Sequence, residues 1–222
     1  MCGRFTLRTS AQEVAKTFGL VEVPDLRPRF NVAPTQQVLT ITLEDGKRHG
    51  QLRRWGLVPS WADDPKIGYR MTNARAETVA AKPAFRSAFK RSRCLVVADG
   101  FYEWKKGANA KTKQPFFIRL KKDQPFALAG LAEHWSRNGE TIDSCTLITT
   151  DPNELMAEIH DRMPAILPPD DYDLWLDPEF EGKEKLLSLL RPYPADEMTA
   201  YPISMLVNSP KNDVPACIDT SA

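Results

Sequence analysis

The sequence predicts an α+β domain whose sheet is mostly antiparallel. Short segments rich in Val, Ile and Thr alternate with turn residues, which is typical of antiparallel strands, and the helix-start signals begin only short helices. The chain has 222 residues and shows no internal repeat, low-complexity tract or Gly/Ser linker. We therefore expect a single domain over residues 1–222, with a core from about residue 2 to residue 215 and a short C-terminal tail.

Capping and turn residues bound the elements expected in the first half of the chain. After a short strand at residues 2–7, Ser10 and Glu13 have the spacing of a capping box, so a helix is expected to begin there. It should end at Gly19, a residue type that tolerates the left-handed conformation at a helix end. The other expected elements are an irregular stretch at 23–34, strands at 37–43 and 51–57 joined by a turn at 44–46, an exposed loop at 59–69, and a helical region at 77–90 interrupted by Pro83.

In the second half, a long strand is expected at residues 93–106, bent at Gly100. The run Asp151-Pro152-Asn153-Glu154 is a second N-cap signature with proline at the first helical position, and its helix should end near His160. The remaining expectations are a polar hairpin loop at 107–113, strands at 115–120, 125–131 and 144–150, helices at 170–176 and 179–190, and a final strand near 201–207.

Composition excludes several classes of protein. No apolar run approaches the roughly 20 residues that cross a bilayer, and the N-terminus lacks the apolar stretch of a secretory signal. The four cysteines and three histidines are scattered, with no Cys-x-x-Cys pair, so neither a metal nor an organic cofactor is expected. The net charge is +1. Basic residues prevail in 1–150 and acidic ones in 151–222, which indicates a basic face able to meet phosphates, unless the two parts interleave in space.

Cys2 is the first candidate for chemistry. A Met followed by a small residue is a good substrate for methionine aminopeptidase, so the mature chain is expected to begin with Cys2 and to carry a 1,2-aminothiol. An α-amine has a pKa of about 7.7–8.0, so an appreciable fraction is neutral near pH 7 and can attack an aldehyde to form a Schiff base. The adjacent thiol can then close a five-membered thiazolidine, which a lysine cannot do. The same group could act as an N-terminal nucleophile in amide cleavage.

Six motifs along the chain resemble those of the SOS-response-associated peptidase (SRAP) family, whose members shield abasic sites in DNA. They occur in the family's order, and the resemblance extends from residue 1 to about residue 215. The last matching residues are Val207 and Asn208. The resemblance implies an SRAP-like domain with an open barrel core and short flanking helices. The motifs are Met1-Cys2-Gly3-Arg4, Arg29-Phe30-Asn31-Val32-Ala33-Pro34, Arg54-Trp55-Gly56-Leu57-Val58-Pro59-Ser60-Trp61, Asn73-Ala74-Arg75-Ala76-Glu77-Thr78, Ala98-Asp99-Gly100-Phe101-Tyr102-Glu103-Trp104 and Ile159-His160-Asp161-Arg162-Met163-Pro164.

The resemblance also implies catalytic roles for four residues. Cys2 would attack the ring-opened aldehyde of an abasic site in single-stranded DNA and become attached through a thiazolidine. Glu103 matches the family's acidic residue and would move protons as a general acid and base, helped by a semi-apolar setting beside two aromatic residues. His160 would assist sugar opening and crosslink chemistry. Asn73 would hold Cys2 or the sugar by hydrogen bonds.

Five further residues are expected to bind DNA. Arg4, Arg75 and Arg162 match family positions at which guanidinium groups meet phosphates. Trp61 would stack on an exposed base or wedge beside the lesion, and Pro34 would add apolar contact. Some relatives have a second tryptophan after the first, where this chain has Ala62.

Two alternatives to covalent capture stay open. One is a thiol peptidase or autoprotease that uses the same residues, for instance to remove Met1, and the other is a single-strand DNA binding module without a covalent step. The expected partner in each DNA-based hypothesis is single-stranded DNA containing abasic sites, with no membrane partner. We expect a monomer in the cytoplasm, associated with the nucleoid at replication forks if the source is bacterial.

Overall fold

A computed structural model describes residues 2–107 and 113–220 of the chain. Met1, whose removal is expected, lies outside the described residues, as do residues 108–112 of the expected hairpin loop. Within the described ranges, no helix is both long and apolar enough to cross a bilayer.

Strands form most of the structure, in two sheets. In chain order they are β1 (Phe5–Leu7), β2 (Arg29–Val32), β3 (Gln37–Glu44), β4 (Lys47–Trp55), β5 (Asn73–Arg75), β6 (Arg93–Ala98), β7 (Gly100–Lys106), β8 (Lys113–Leu120), β9 (Phe126–Arg137), β10 (Glu140–Thr150), β11 (Met163–Pro164), β12 (Ile166–Leu167) and β13 (Met198–Pro202).

The helices are short, and 3-10 turns lie between several of the elements. The α-helices are α1 (Ala11–Phe18), α2 (Arg86–Arg91), α3 (Glu154–Ala157), α4 (Tyr172–Leu176) and α5 (Lys183–Leu189). The 3-10 turns are Pro65–Arg70, Pro169–Asp171, Ala195–Glu197, Met205–Asn208 and Pro215–Ile218.

Five strands close into a barrel. β3 pairs with β4 and β6, β9 pairs with β6 and β10, and β4 completes the ring by pairing with β10 in parallel. The outer wall carries Leu39, Ile41 and Ile148, which share a buried cluster with residues of the helices. Side chains alternate between the two faces of each strand. Those on the other face, such as Cys94 and Leu147, belong to a second cluster and therefore face the lumen.

The second sheet covers one end of the barrel. Its strand order is β13-β8-β7-β1-β2, and its residues Phe5, Phe101 and Ile118 share the lumen cluster. Gly100 lies where the chain passes from β6 in the barrel to β7 in this sheet. A Cβ at Gly100 would lie 2.2 Å from Cζ of Phe117, so the passage requires glycine. The transfer places β7, which carries Glu103, over the barrel end.

The structure confirms the α+β class with mostly antiparallel sheets, and it adds that the barrel ring is closed by the parallel β4–β10 pair. The first helix is as expected: Ser10 accepts a hydrogen bond from the backbone N–H of Glu13, and Gly19 ends the helix with a φ of 63°. The second helix cap was misassigned. Asn153, rather than Asp151, accepts from the backbone N–H of Met156 and caps α3.

Several element boundaries were also wrong. The stretch expected to be irregular contains β2, because its backbone pairs with β1. The helical region expected at 77–90 is a helix only in α2, which follows Pro83. The long strand expected at 93–106 is two strands in different sheets, and the last strand, expected near 201–207, is β13, which ends at Pro202.

Candidate active site

Cys2 lies immediately before β1, under the second sheet, and is fully buried. Asn73 begins β5, which pairs in parallel with β10 so that Asn73 is in register with Leu147. From there the Asn73 Nδ2 donates a hydrogen bond to the backbone carbonyl of Cys2 at 2.9 Å. The Asn73 Oδ1 is buried and accepts no hydrogen bond from the described residues. Asn73 therefore holds the backbone of Cys2 and keeps an acceptor in the site.

Glu103 and His160, the expected acid–base residues, face one another. Glu103 lies on β7 with 2% of its surface exposed, and its Oε2 is 3.8 Å from Nε2 of His160, which follows α3. The Nδ1 of His160 accepts a hydrogen bond from the backbone N–H of Arg162 at 3.0 Å. The Nδ1 also lies 2.9 Å from Oδ1 of Asp161, and Nε2 is the nitrogen that faces Glu103.

Burial sets the protonation states of these groups. It raises the pKa of the Cys2 thiol, and the nearby carboxylate of Glu103 raises it further. Burial also raises the pKa of Glu103 to about 7, whereas it lowers the pKa of His160. Near neutral pH the thiol is therefore protonated, the imidazole is mainly neutral, and Glu103 is divided between its acid and its carboxylate.

The raised pKa of Glu103 makes the free energy of unfolding depend on pH. The unfolded carboxyl ionises near pH 4.5 and the folded one only near pH 7, so stability should fall as pH rises through this window. The loss is on the order of 3 kcal/mol. Glu103→Gln should not show this loss. The free energy of unfolding of the variant, measured with urea, should therefore rise relative to that of the wild type as the pH is raised from 5 to 8. The exposed Glu140→Gln is the control, and an identical pH dependence in Glu103→Gln and wild type would contradict the assignment.

Arg4 is two residues from Cys2, but its guanidinium is engaged within the fold. Its Nη1 donates to the Asn31 Oδ1 at 2.9 Å and to the Val207 carbonyl at 2.7 Å, and its Nη2 donates to the Asn208 carbonyl at 3.3 Å. Arg4 thus tethers the C-terminal segment, defined here as residues 205–213, to the start of the chain. Its expected contact with phosphate would use the remaining N–H groups.

Asn31 is the other end of this tether and is fully buried. Its Nδ2 lies 2.7 Å from the Asn212 carbonyl, 3.0 Å from that of Ser209 and 3.2 Å from that of Val207. The C-terminal segment also reaches β7, because Asn208 Oδ1 accepts from the Trp104 indole N–H at 2.8 Å. The segment therefore connects the neighbours of both Cys2 and Glu103.

Asn31→Ala should release the C-terminal segment. It would leave the half-buried carbonyls of Ser209 and Asn212 without this donor, at a cost of roughly 1–3 kcal/mol. The Val207 carbonyl would still accept from Arg4. We expect faster amide hydrogen exchange in residues 205–213 with little change in α1. Asn31→Asp is the matched variant: it can still accept from Arg4 but cannot donate to the carbonyls, so it should behave like Asn31→Ala. Unchanged exchange in both variants would show that Asn31 does not hold the segment.

Arg162 and Arg75 differ in exposure and in the contacts of their side chains. The half-buried guanidinium of Arg162 pairs with Glu77 and Asp151 and donates to the Thr149 carbonyl at 2.6 Å. Although partial burial acts in the opposite direction, the hydrogen bond from Arg162 lowers the pKa of Glu77. Arg75 ends β5 and is exposed, and its side chain makes no hydrogen bond or ion pair with the described residues. Arg75 is thus the better placed of the two to take a phosphate.

The two expected apolar contacts lie on separate loops. Pro34 is half-buried in the turn after β2, in which the Thr35 N–H donates to the Trp55 carbonyl at 2.8 Å. Trp61 is 59% exposed. Its neighbour Ala62 is buried, and the Ala62 carbonyl accepts from the indole N–H of Trp135 at 2.8 Å. That contact fixes the loop and leaves Trp61 facing solvent. The roles of Pro34 and Trp61 in DNA binding stay predictions.

The structure therefore brings Cys2, Asn73, Glu103 and His160 together. Sequence reasoning missed the residues that support them: Asn31, which holds the C-terminal segment, and Glu77 and Asp151, which hold Arg162. Asn31 and Glu77 stand inside quoted motifs, so the signal was present without an assigned role. In residues 2–107 and 113–220, no three His, Cys, Asp or Glu side chains are grouped so that they could hold a metal ion.

Comparisons with known proteins identify the family. The family model described as SOS response associated peptidase (SRAP) matches residues 1–210. Abasic site processing protein YoqW of Bacillus subtilis is 50% identical over 226 residues, covering 99% of this chain and 100% of that protein. Abasic site processing protein YedK of Escherichia coli is 31% identical over 221 residues, covering 96% of each chain.

A solved structure has the same fold. The crystal structure of a protein from Bacteroides thetaiotaomicron superposes with a TM-score of 0.88 at 30% sequence identity, covering all of both chains.

Proposed function

We propose, from the premise that this chain belongs to the SOS response-associated peptidase (SRAP) family, that it processes abasic sites in DNA. Relatives along its full length are named abasic site processing proteins. The finer proposal is that Cys2, once Met1 is removed, captures the ring-opened abasic site in single-stranded DNA through a thiazolidine, and so shields the lesion.

One observation carries the finer proposal. The residue that would present a 1,2-aminothiol is held by Asn73 at a buried place that also contains an acid–base group with a pKa of about 7. Glu103 is close enough to raise the pKa of the Cys2 thiol. A buried cysteine with a raised pKa suits a reaction in which the amine attacks first and the thiol is deprotonated only as it reacts.

The first step forms an imine. The neutral α-amine of Cys2 attacks the aldehyde carbon of the open-chain sugar, and the carboxylate of Glu103 takes a proton from the nitrogen. The oxygen takes up one proton from solvent as the amine adds, which gives the carbinolamine. Its hydroxyl leaves as water when Glu103 returns to it the proton taken from nitrogen, and a protonated iminium remains. His160, whose Nε2 faces Glu103, can relay a proton between Glu103 and the sugar oxygen as the charge moves between them.

The second step closes the ring. The Cys2 sulfur attacks the iminium carbon, the electron pair of the C=N bond moves to nitrogen, and the thiol proton passes to Glu103. The product is a thiazolidine that joins the chain to the DNA, with one water released and no oxidant or reductant required.

DNA binding would use the exposed groups around this site. The Arg75 side chain makes no hydrogen bond or ion pair with the described residues, so its guanidinium can bind a phosphate. Trp61 offers an exposed ring on which a base can stack. Arg162 is held by Glu77 and Asp151, so a phosphate would have to compete with two carboxylates for it. We propose that Arg75 and Trp61 supply more of the affinity than Arg4 and Arg162.

A peptidase is the second candidate, favoured by the family's description and by the same thiol. A cysteine that cleaves amides needs a thiolate, which a neighbouring cation or helix N-terminus normally stabilises. Here burial and the Glu103 carboxylate raise the thiol pKa instead. The raised pKa of the thiol therefore argues against general peptidase activity and favours covalent capture over this candidate.

The test uses single-stranded DNA with one abasic site, the same strand intact, and the same strand after borohydride reduction of the aldehyde. We expect a heat-stable adduct on a denaturing gel with the first strand only, because only that strand has a free aldehyde. Adduct formation with all three strands, or with none on a chain that lacks Met1, would refute aldehyde capture.

A further inference from the structure

Arg53 is a buried cation inside the barrel. It lies on β4 next to Arg54, which is in register with Ser144 of β10, and only 9% of its surface is exposed. Its charge acts on the thiols of Cys94 and Cys145. Both thiols belong to the lumen cluster, so the guanidinium lies in the lumen as well.

The charge of Arg53 is not neutralised by the fold. Its Nη1 donates to the hydroxyl of Thr40 at 2.6 Å, and Thr40 in turn donates to the Gln51 carbonyl at 2.9 Å. Among the described residues, no carboxylate lies within 4.0 Å of this guanidinium, and no other acceptor bonds to it. A guanidinium has five N–H donors, and burying its charge without a counterion is costly. The arrangement leaves room for an anion.

A cavity of about 230 Å³ opens at this place. Arg53 forms part of its wall, together with Thr42, Ser92 and Arg91 from the ends of neighbouring elements. Ser92 and Arg93 at the start of β6 line this cavity, whereas the chain enters the second sheet beyond the other end of β6, at Gly100. The cavity therefore lies at the end of the barrel away from the second sheet. The cavity is thus separate from the candidate active site.

Acidic side chains at the rim limit what can enter. Asp143 is exposed and pairs with His134 at 2.8 Å, and Glu44 is exposed and accepts from Thr42. Glu133 also lines the cavity, and burial raises its pKa. Water screens the exposed rim charges more than the buried one. A long polyanion such as a DNA strand would meet this rim, whereas a compact ion can pass it.

We propose that this cavity binds a small tetrahedral oxyanion of the phosphate or sulfate type, held by the free N–H groups of Arg53 and by hydroxyls of the wall. The bidentate fork of a guanidinium matches two oxygens of such an ion. The bound ion supplies the missing counter-charge, so it should stabilise the folded chain without taking part in the capture chemistry.

The test titrates inorganic phosphate by calorimetry and by thermal unfolding, with sodium chloride keeping the ionic strength constant. Arg53→Met should weaken phosphate binding roughly 10-fold or more, and should lose the phosphate-dependent rise in melting temperature. The matched control is Arg86→Met, which removes an exposed, unpaired arginine outside this cavity and should leave both readouts unchanged. Asp143→Asn removes a rim carboxylate and should tighten binding by roughly 2-fold to 5-fold.

Arg53→Met should still form the abasic-site adduct at the wild-type rate, so a failure of the proposed function and a failure of this inference are distinguishable. Equal phosphate affinity in wild type and Arg53→Met, or no saturable binding by the wild type up to roughly 20 mM phosphate, would overturn the site. So would weaker phosphate binding in Asp143→Asn, because loss of a rim carboxylate should favour an anion bound in this cavity.

Discussion

Replacing Cys2 by serine should abolish the heat-stable adduct with abasic single-stranded DNA. Serine is small enough to allow removal of Met1 and keeps the α-amine, so a Schiff base can still form. Its hydroxyl is a much weaker nucleophile than sulfur, and the imine should therefore hydrolyse on heating. Without borohydride, we expect no adduct band on a denaturing gel. With borohydride, which reduces the imine to a stable amine, the adduct band should return.

Cys217→Ser is the matched control, because Cys217 is also buried and unpaired but lies in the Pro215–Ile218 turn. It should form the adduct as the wild type does. A heat-stable adduct in Cys2→Ser would show that the bond is made by another group, and loss of the borohydride-trapped species as well would show that the variant no longer binds the lesion.

Glu103→Gln should slow adduct formation by about 10²–10⁴-fold, the usual contribution of a positioned acid–base group. Glutamine preserves the shape and the hydrogen-bonding capacity but cannot carry protons between nitrogen, oxygen and sulfur. The wild-type rate should rise with pH through about 7 as Glu103 ionises. In the variant only the dependence on the α-amine, with its higher pKa, should remain.

The measurement is the single-turnover rate from pH 5.5 to 9 with saturating DNA, which separates the chemical step from binding. His160→Gln serves as the comparison and should have a smaller effect, because the imidazole acts on the same protons through Glu103. A pH profile in Glu103→Gln that matches the wild type in shape would contradict the role of Glu103 as the general base.

Local signals predicted the local structure well. Ser10 and Gly19 bound α1 because both act through backbone groups within one turn of themselves. The second cap failed because two candidates stand side by side, and tertiary contacts decided between them. Asp151 accepts a hydrogen bond from Arg162, and Asn153 therefore caps the helix N-terminus.

Long-range pairing could not be obtained from the sequence. The parallel contact of β4 with β10 closes the barrel, yet it joins strands that are almost a hundred residues apart and that have no distinctive pattern. The same limit applies to Arg4. Its place next to Cys2 indicated a phosphate contact, whereas the fold brings Val207 and Asn31 to its guanidinium. For Cys2, Asn73, Glu103 and His160 the motifs sufficed to bring these residues to attention, because four of the six motifs each carry one of them.

The most direct test of covalent capture is the intact mass of the isolated adduct between the wild-type chain and an abasic oligonucleotide. We expect the mass of the chain without Met1 plus that of the DNA less one water, and fragmentation that places the DNA on Cys2. A stable adduct that retains Met1, or one attached to a lysine, would contradict the thiazolidine and would require a different nucleophile.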